Sequence, residues 1–169
     1  TLDIRMQRIC ETAGASLQKG CVVVMDVESG DILGLASFPG YTPDALGEAM
    51  QDPDSPMIQR ALYAYPVGSI FKLVTAACAY ENGAGTAFQW NCNGAISIGS
   101  QRFRCHDPQG HGLQNLADAM RNSCNPYFIA LGQTFSGKEL LETAKALGFG
   151  TETVLTSNMI GSSGTLPTL

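Results

Sequence analysis

The sequence has no apolar run approaching the roughly 18 residues that a membrane-spanning helix requires. Its N-terminus also lacks the basic and apolar blocks of a secretory leader. Charge is scarce: 15% of residues are charged, with 10 basic against 15 acidic side chains and a formal net charge of -5. A general nucleic-acid binder carries a basic face, so that class is disfavoured. With 44% apolar residues over 169 positions, the composition fits one globular domain with a core and excludes a disordered or fibrous chain. Thr1-Leu2-Asp3 opens directly into a helical pattern and Gly161 to Leu169 trails off in small residues, so both ends read as cut. No repeat and no linker divides the chain.

Cysteine, by contrast, is plentiful, with six in all. Cys10, Cys21 and Cys78 sit in apolar-periodic stretches, where a free thiol behaves as a small buried hydrophobe. Cys92, Cys105 and Cys124 lie in polar surroundings and need another explanation.

Apolar positions at Ile4, Ile9, Cys10, Ala13 and Leu17 predict an amphipathic helix over 3–17, ended by Gly20. Two apolar runs, 21–26 and 32–36, flank the turn-rich Glu28-Ser29-Gly30-Asp31 and predict a β-hairpin. Four prolines between Ser37 and Pro56 make that stretch an irregular excursion. Helices are predicted over 69–82, 113–122, 126–131 and 137–147, with glycines closing three of them. The stretch 85–112 reads as loop with at most short strands.

The sharpest local feature is Tyr65-Pro66-Val67-Gly68-Ser69-Ile70-Phe71-Lys72. A serine opens a helix and a lysine follows three positions later, on the same helical face. A serine is a poor nucleophile until a base takes its proton, and a lysine serves only where its surroundings keep it neutral. The partial positive charge of a helix start favours the alkoxide forming on Ser69. Alone, the pair reads more readily as an N-cap serine and an exposed helix lysine, since S-x-x-K recurs often by chance. Asn122-Ser123-Cys124-Asn125-Pro126 adds S-x-N between two helices, although a Ser/Asn turn would also fit there. A second hydroxyl can pass a proton to a leaving amine, and an asparagine amide can hold a substrate amide by two hydrogen bonds. S-x-x-K and S-x-N occur in the order found in penicillin-recognising serine enzymes, while the third member of that set, K-T-G, is not in these 169 residues.

The chain resembles the class B (monofunctional) penicillin-binding proteins nearly end to end. Thr1-Leu2-Asp3 with Gln7 resembles the start of their transpeptidase domain, and Val23 to Leu33 its hairpin. Phe38-Pro39-Gly40-Tyr41-Thr42-Pro43-Asp44 resembles the proline-containing exit, with Asp44 where an Asn is usual. His111-Gly112, Asn115-Leu116, Ser123-Cys124-Asn125, Phe128 and Leu147-Gly148-Phe149-Gly150 continue the pattern in order. The cysteines make it most similar to Gram-positive division and sporulation members.

The resemblance implies an α/β (mixed α+β) fold: a partial penicillin-binding transpeptidase (β-lactamase-like) fold, mostly its helical subdomain plus the first β-hairpin of the central sheet. Residues 1–169 would be the N-terminal part of one such domain, incomplete at the C-terminus. It implies a peptidoglycan D,D-transpeptidase in which Ser69 is acylated by a D-Ala-D-Ala stem peptide or a β-lactam, Lys72 is the base, Ser123 relays the proton and Asn125 positions substrate. With K-T-G missing, only the Ser69 amide of the oxyanion hole remains, which implies impaired chemistry for this chain alone. Implied partners are the lipid-linked precursor, β-lactams and division or sporulation proteins, at the extracytoplasmic face of a membrane whose anchor lies outside this chain. A D,D-carboxypeptidase, a β-lactam sensor and a non-catalytic scaffold are the alternatives. A β-lactamase is disfavoured, because Glu152 is the only glutamate beyond S-x-N in the tail.

Cys92, Cys105, His111 and Cys124 form C-x12-C-x5-H-x12-C. Three thiolates and an imidazole are a normal tetrahedral set for structural Zn2+, which the chemistry itself would not require. Some elongation-type relatives resemble this chain in carrying a metal site there. A Cys92–Cys105 disulfide and a set of unpaired thiols are the competing readings.

Overall fold

Asp3 starts the first helix by accepting a hydrogen bond from the Arg5 backbone N–H at 2.8 Å, which satisfies one of the free donors of a helix start. The computed structural model describes residues 2–85 and 87–168; Thr1, Thr86 and Leu169 lie outside the described residues, and with Thr1 the first position of the T-L-D start. The chain forms two compact units, one from Thr1–Ala64 and Glu152–Ser162, the other from Tyr65–Thr151 and Ser163–Leu169.

In the first unit, helix α1 (Ile4–Ala13) packs on an antiparallel pair, β1 (Gly20–Met25) and β2 (Ile32–Phe38). The helix ends at Gly14, earlier than its apolar pattern suggests, and only glycine fits there, because Phe38 lies 2.1 Å from where a Cβ would stand. Gln7 locks the layers. Its side-chain amide donates to the Leu35 carbonyl (3.1 Å) and its oxygen accepts from the Leu35 N–H (2.9 Å), closing the outer edge of β2 at that point. The hairpin turn is built by Asp26, whose Oδ1 accepts from the N–H groups of Glu28 and Ser29, with Gly30 at φ 76°. The proline-rich excursion holds only 3-10 turns and the short α2 (Leu46–Ala49).

In the second unit, a 3-10 turn at Gly68–Ile70 leads into α3 (Phe71–Glu81). Two short antiparallel pairs follow: β3 (Trp90–Cys92) with β6 (Gly112–Gln114), and β4 (Ala95–Ile98) with β5 (Gln101–Arg104). Helices α4 (Leu116–Arg121), α5 (Asn125–Leu131) and α6 (Gly137–Ala146) complete it. Asn115 caps α4, and Ser136 with Glu139 forms a capping box on α6. The core is one cluster, in which Ala76 and Ala79 of α3 meet Leu116, Ala119, Tyr127 and Leu131 around Cys92, Cys105 and Cys124. The chain between β3 and β6 is pinned by glycines. A Cβ on Gly110, at φ 80°, would lie 2.0 Å from the Cys92 carbonyl oxygen.

The expectation of a helical part plus a single β-hairpin is overturned. The fold is α/β with several helices and four two-stranded sheets, the last being β7 (Thr153–Thr156) with β8 (Met159–Gly161) in the first unit. The missed strands are three or four residues long, too short for an alternating pattern to register, and glycines at 94, 99 and 112 mask them as loop.

Candidate active site and thiol cluster

Lys72 sits on the buried face of α3, one turn beyond Ser69, with its Nζ held at three oxygens. The distances are 3.1 Å to Ser69 Oγ, 2.8 Å to Ser123 Oγ and 2.7 Å to the Ser123 carbonyl. Ser123 Oγ closes the set by donating to Ser69 Oγ at 3.2 Å. The second serine reaches the first because the chain reverses sharply between α4 and α5, where Ser123 takes φ 46°. Left-handed backbone is costly for a residue with a Cβ, so the surroundings must hold it. They do so through the Ser123 N–H, which donates to the Met120 carbonyl, and the Cys124 N–H, which donates to that of Ala119. Asn125 opens α5 and lines the same groove as Lys72.

Burial drives the Lys72 amine below the usual lysine range, and the sulfurs of Cys124 and Cys105 partly offset that shift. Nζ donates to all three oxygens, and loss of its proton would leave a lone pair facing the Ser69 hydroxyl. The ring of Phe128 covers the amine from the side, its centroid 5.8 Å from Nζ. This arrangement can take a proton from Ser69 as its oxygen attacks an acyl carbon, and return it through Ser123.

Cys92, Cys105, His111 and Cys124 also come together. Their ligand atoms all lie within 4.8 Å of one another, and Cys105 Sγ stands 3.5 Å from His111 Nδ1. A zinc tetrahedron with bonds of about 2.0–2.3 Å has edges of roughly 3.3–3.8 Å, so the donor set fits that ion in type and in spacing. All six cysteines are free. Burial pushes the Cys124 thiol up to about 11, and neighbouring Cys92 adds to the effect. Cys92 is buried too, yet backbone N–H groups of His111 and Gly94 bring its thiol below the ordinary range. His106, the other histidine, stands outside the set, with its Nδ1 4.0 Å from Cys105 Sγ.

All eight site residues singled out in the sequence thus fall into two adjoining clusters, Ser69, Lys72, Ser123 and Asn125 in one and the four thiol and imidazole donors in the other. Sequence reasoning missed the Ser123 carbonyl as a lysine partner, and it missed Arg102 and Arg104, which line the groove from β5. Nothing in the sequence separates these two from solvated strand arginines.

A serine opening a helix, bonded to a buried lysine and a second serine, is a site built for acyl transfer. The chain belongs to the penicillin-binding protein transpeptidase domain family, whose description, "Penicillin binding protein transpeptidase domain", matches residues 20–164. It is 34% identical over 136 residues to Stage V sporulation protein D of Bacillus subtilis, covering 78% of this chain and 20% of that protein. The D,D-transpeptidase domain of a peptidoglycan glycosyltransferase from Eggerthella lenta superposes with a TM-score of 0.80 at 33% identity, over 90% of this chain and 38% of that one. A penicillin G acyl-enzyme complex of penicillin-binding protein A from M. tuberculosis gives a TM-score of 0.81 at 27% identity, over 89% and 40%. The chain therefore spans well under half the length of these relatives.

A nuclear magnetic resonance titration of Lys72 labelled at Nζ should give a midpoint below the ordinary value of about 10.4, and a midpoint at or above it would contradict the burial account. Because the unfolded chain keeps that proton to higher pH than the folded one, the protein should gain stability as pH rises between the two midpoints.

Proposed function

We propose that this chain is the S-x-x-K and S-x-N part of a class B peptidoglycan D,D-transpeptidase. The observation that carries the reading is the closed hydrogen-bond set among Ser69, Lys72 and Ser123. In the proposed reaction, Lys72 Nζ takes the Ser69 proton and Oγ attacks the carbonyl of the penultimate D-Ala of a stem peptide. The terminal D-Ala leaves as an amine that receives its proton through Ser123. The amine of a second stem peptide then attacks the acyl-serine, forming the cross-link and releasing Ser69. Asn125 holds the donor amide beside the bond that breaks. A β-lactam would form the same ester by ring opening, as the name of the related acyl-enzyme complex suggests for that protein. Likeness to a sporulation protein supports a role with division or sporulation partners on the extracytoplasmic face, where a lipid-linked precursor is met.

We assign the thiol cluster to structural Zn2+ held by Cys92, Cys105, His111 and Cys124. The chain connectivity gives such a site its use. Cys124 lies between Ser123 and Asn125, so fixing its sulfur fixes the residues on either side. A disulfide would use two of the four converging donors and leave the imidazole without a role.

Intact mass after incubation with benzylpenicillin tests the acyl-transfer reading, on this chain and on one extended by a K-T-G strand, each beside Ser69→Ala. A drug-sized gain that vanishes in Ser69→Ala is expected, with Lys72→Met slowing it by about 10²–10⁴. No gain on either folded chain would overturn the reading in favour of a non-catalytic scaffold. Native mass spectrometry should find one zinc per chain and none in Cys124→Ser; retention of the ion in that variant would remove Cys124 from the site.

A further inference from the structure

The groove beside Lys72 carries a charge opposite to that of the whole molecule. It encloses about 460 Å³ and is walled by Gly68, Lys72, Asn125 and Phe128 and, from β5, by Arg102 and Arg104. Lys72, Arg102 and Arg104 are three of the chain's 10 basic residues, and none of its 15 acidic residues lines the groove. Arg102 and Arg104 are two apart on one strand and so share a face of the β4–β5 hairpin. Their cross-strand partners are Ser97 and Ala95, too small to cover a guanidinium or to neutralise it.

These two arginines are also unspent. Arg5 and Arg121 pair with aspartates, and Arg60 donates to backbone carbonyls. Among the described residues, none of the ion pairs involves Arg102 or Arg104, and both are exposed. The hairpin that bears them is nevertheless anchored, since Ile96 is buried opposite Phe103 and α5 packs against both strands. A groove lined by two arginines and a lysine, with no acidic residue among them, favours an anion, and a guanidinium matches the planar fork of a carboxylate.

We infer that Arg102 and Arg104 form a carboxylate subsite that selects acyl donors bearing a free acid just upstream of D-Ala-D-Ala. The inference rests on the acyl-transfer reading for its substrate and makes the two arginines specificity-determining residues of that site. The acid in question is a side-chain carboxylate on the third residue of the stem peptide, the one that precedes D-Ala-D-Ala.

The test is calorimetric binding to the Ser69→Ala chain of two synthetic pentapeptides ending in D-Ala-D-Ala, identical except for a free carboxylate or a carboxamide on the third side chain. The free acid should bind about tenfold more tightly, the scale of a charge-assisted guanidinium pair. The preference should disappear in R102Q/R104Q, return in part in R102K/R104K, and fade in the Ser69→Ala parent as salt is raised. Equal affinity for both peptides, or binding of neither, would overturn the inference. Benzylpenicillin acylation reports separately on the acyl-transfer reading. A chain that prefers the acid peptide yet never acylates keeps the subsite and loses the chemistry, while one that acylates without preference does the reverse.

Discussion

An amine buried in a protein must either find oxygens or give up its proton, and Lys72 is placed to do both. Its three oxygen contacts come from two residues 54 positions apart in the chain, Ser69 and Ser123. To make those contacts, α3 must turn its lysine inward, and the chain between α4 and α5 must adopt left-handed backbone at Ser123. The core cluster shared by α3, α4 and α5 supplies the apolar burial that holds both elements in place. The site is therefore a property of the packing and cannot be read off any one segment.

The thiol cluster acts on the same point from the other side. Cys92 ends β3, Cys105 follows β5 and His111 precedes β6, so three short strands that bury little apolar area are gathered at four ligand atoms. Small sheets of this kind are marginal in water unless something else fixes them. A metal bound there would fix them, and with them the Ser123 reversal, through Cys124.

Legibility from the sequence followed the range of the signal. The first hairpin was readable because two apolar runs, 21–25 and 32–36, flank a Glu-Ser-Gly-Asp turn, and α3, α5 and α6 were readable from their period and closing glycines. Helix α1 stops short of Leu17, at Gly14, which packs against Phe38, distant in sequence. Strands β3 to β8 fell below the length at which alternation is visible. Motif spacing picked out residues that the fold brings together, because chemistry constrains residue type at fixed offsets. Arg102 and Arg104 escaped because nothing local distinguishes a groove arginine from a solvated one. Only the placement of β5 beside Lys72 and Asn125 puts these residues in the groove wall.

If Ser69, Lys72 and Ser123 handle one proton as a single unit, removing a second member should cost little once the first is gone. A double-mutant cycle on the rate of benzylpenicillin acylation, with Lys72→Ala, Ser123→Ala and the pair combined, measures this directly. The account predicts that the double variant reacts within about threefold of Lys72→Ala alone, the non-additivity expected of groups that share one function. Losses that multiply would mean that the two residues act independently, and would contradict it.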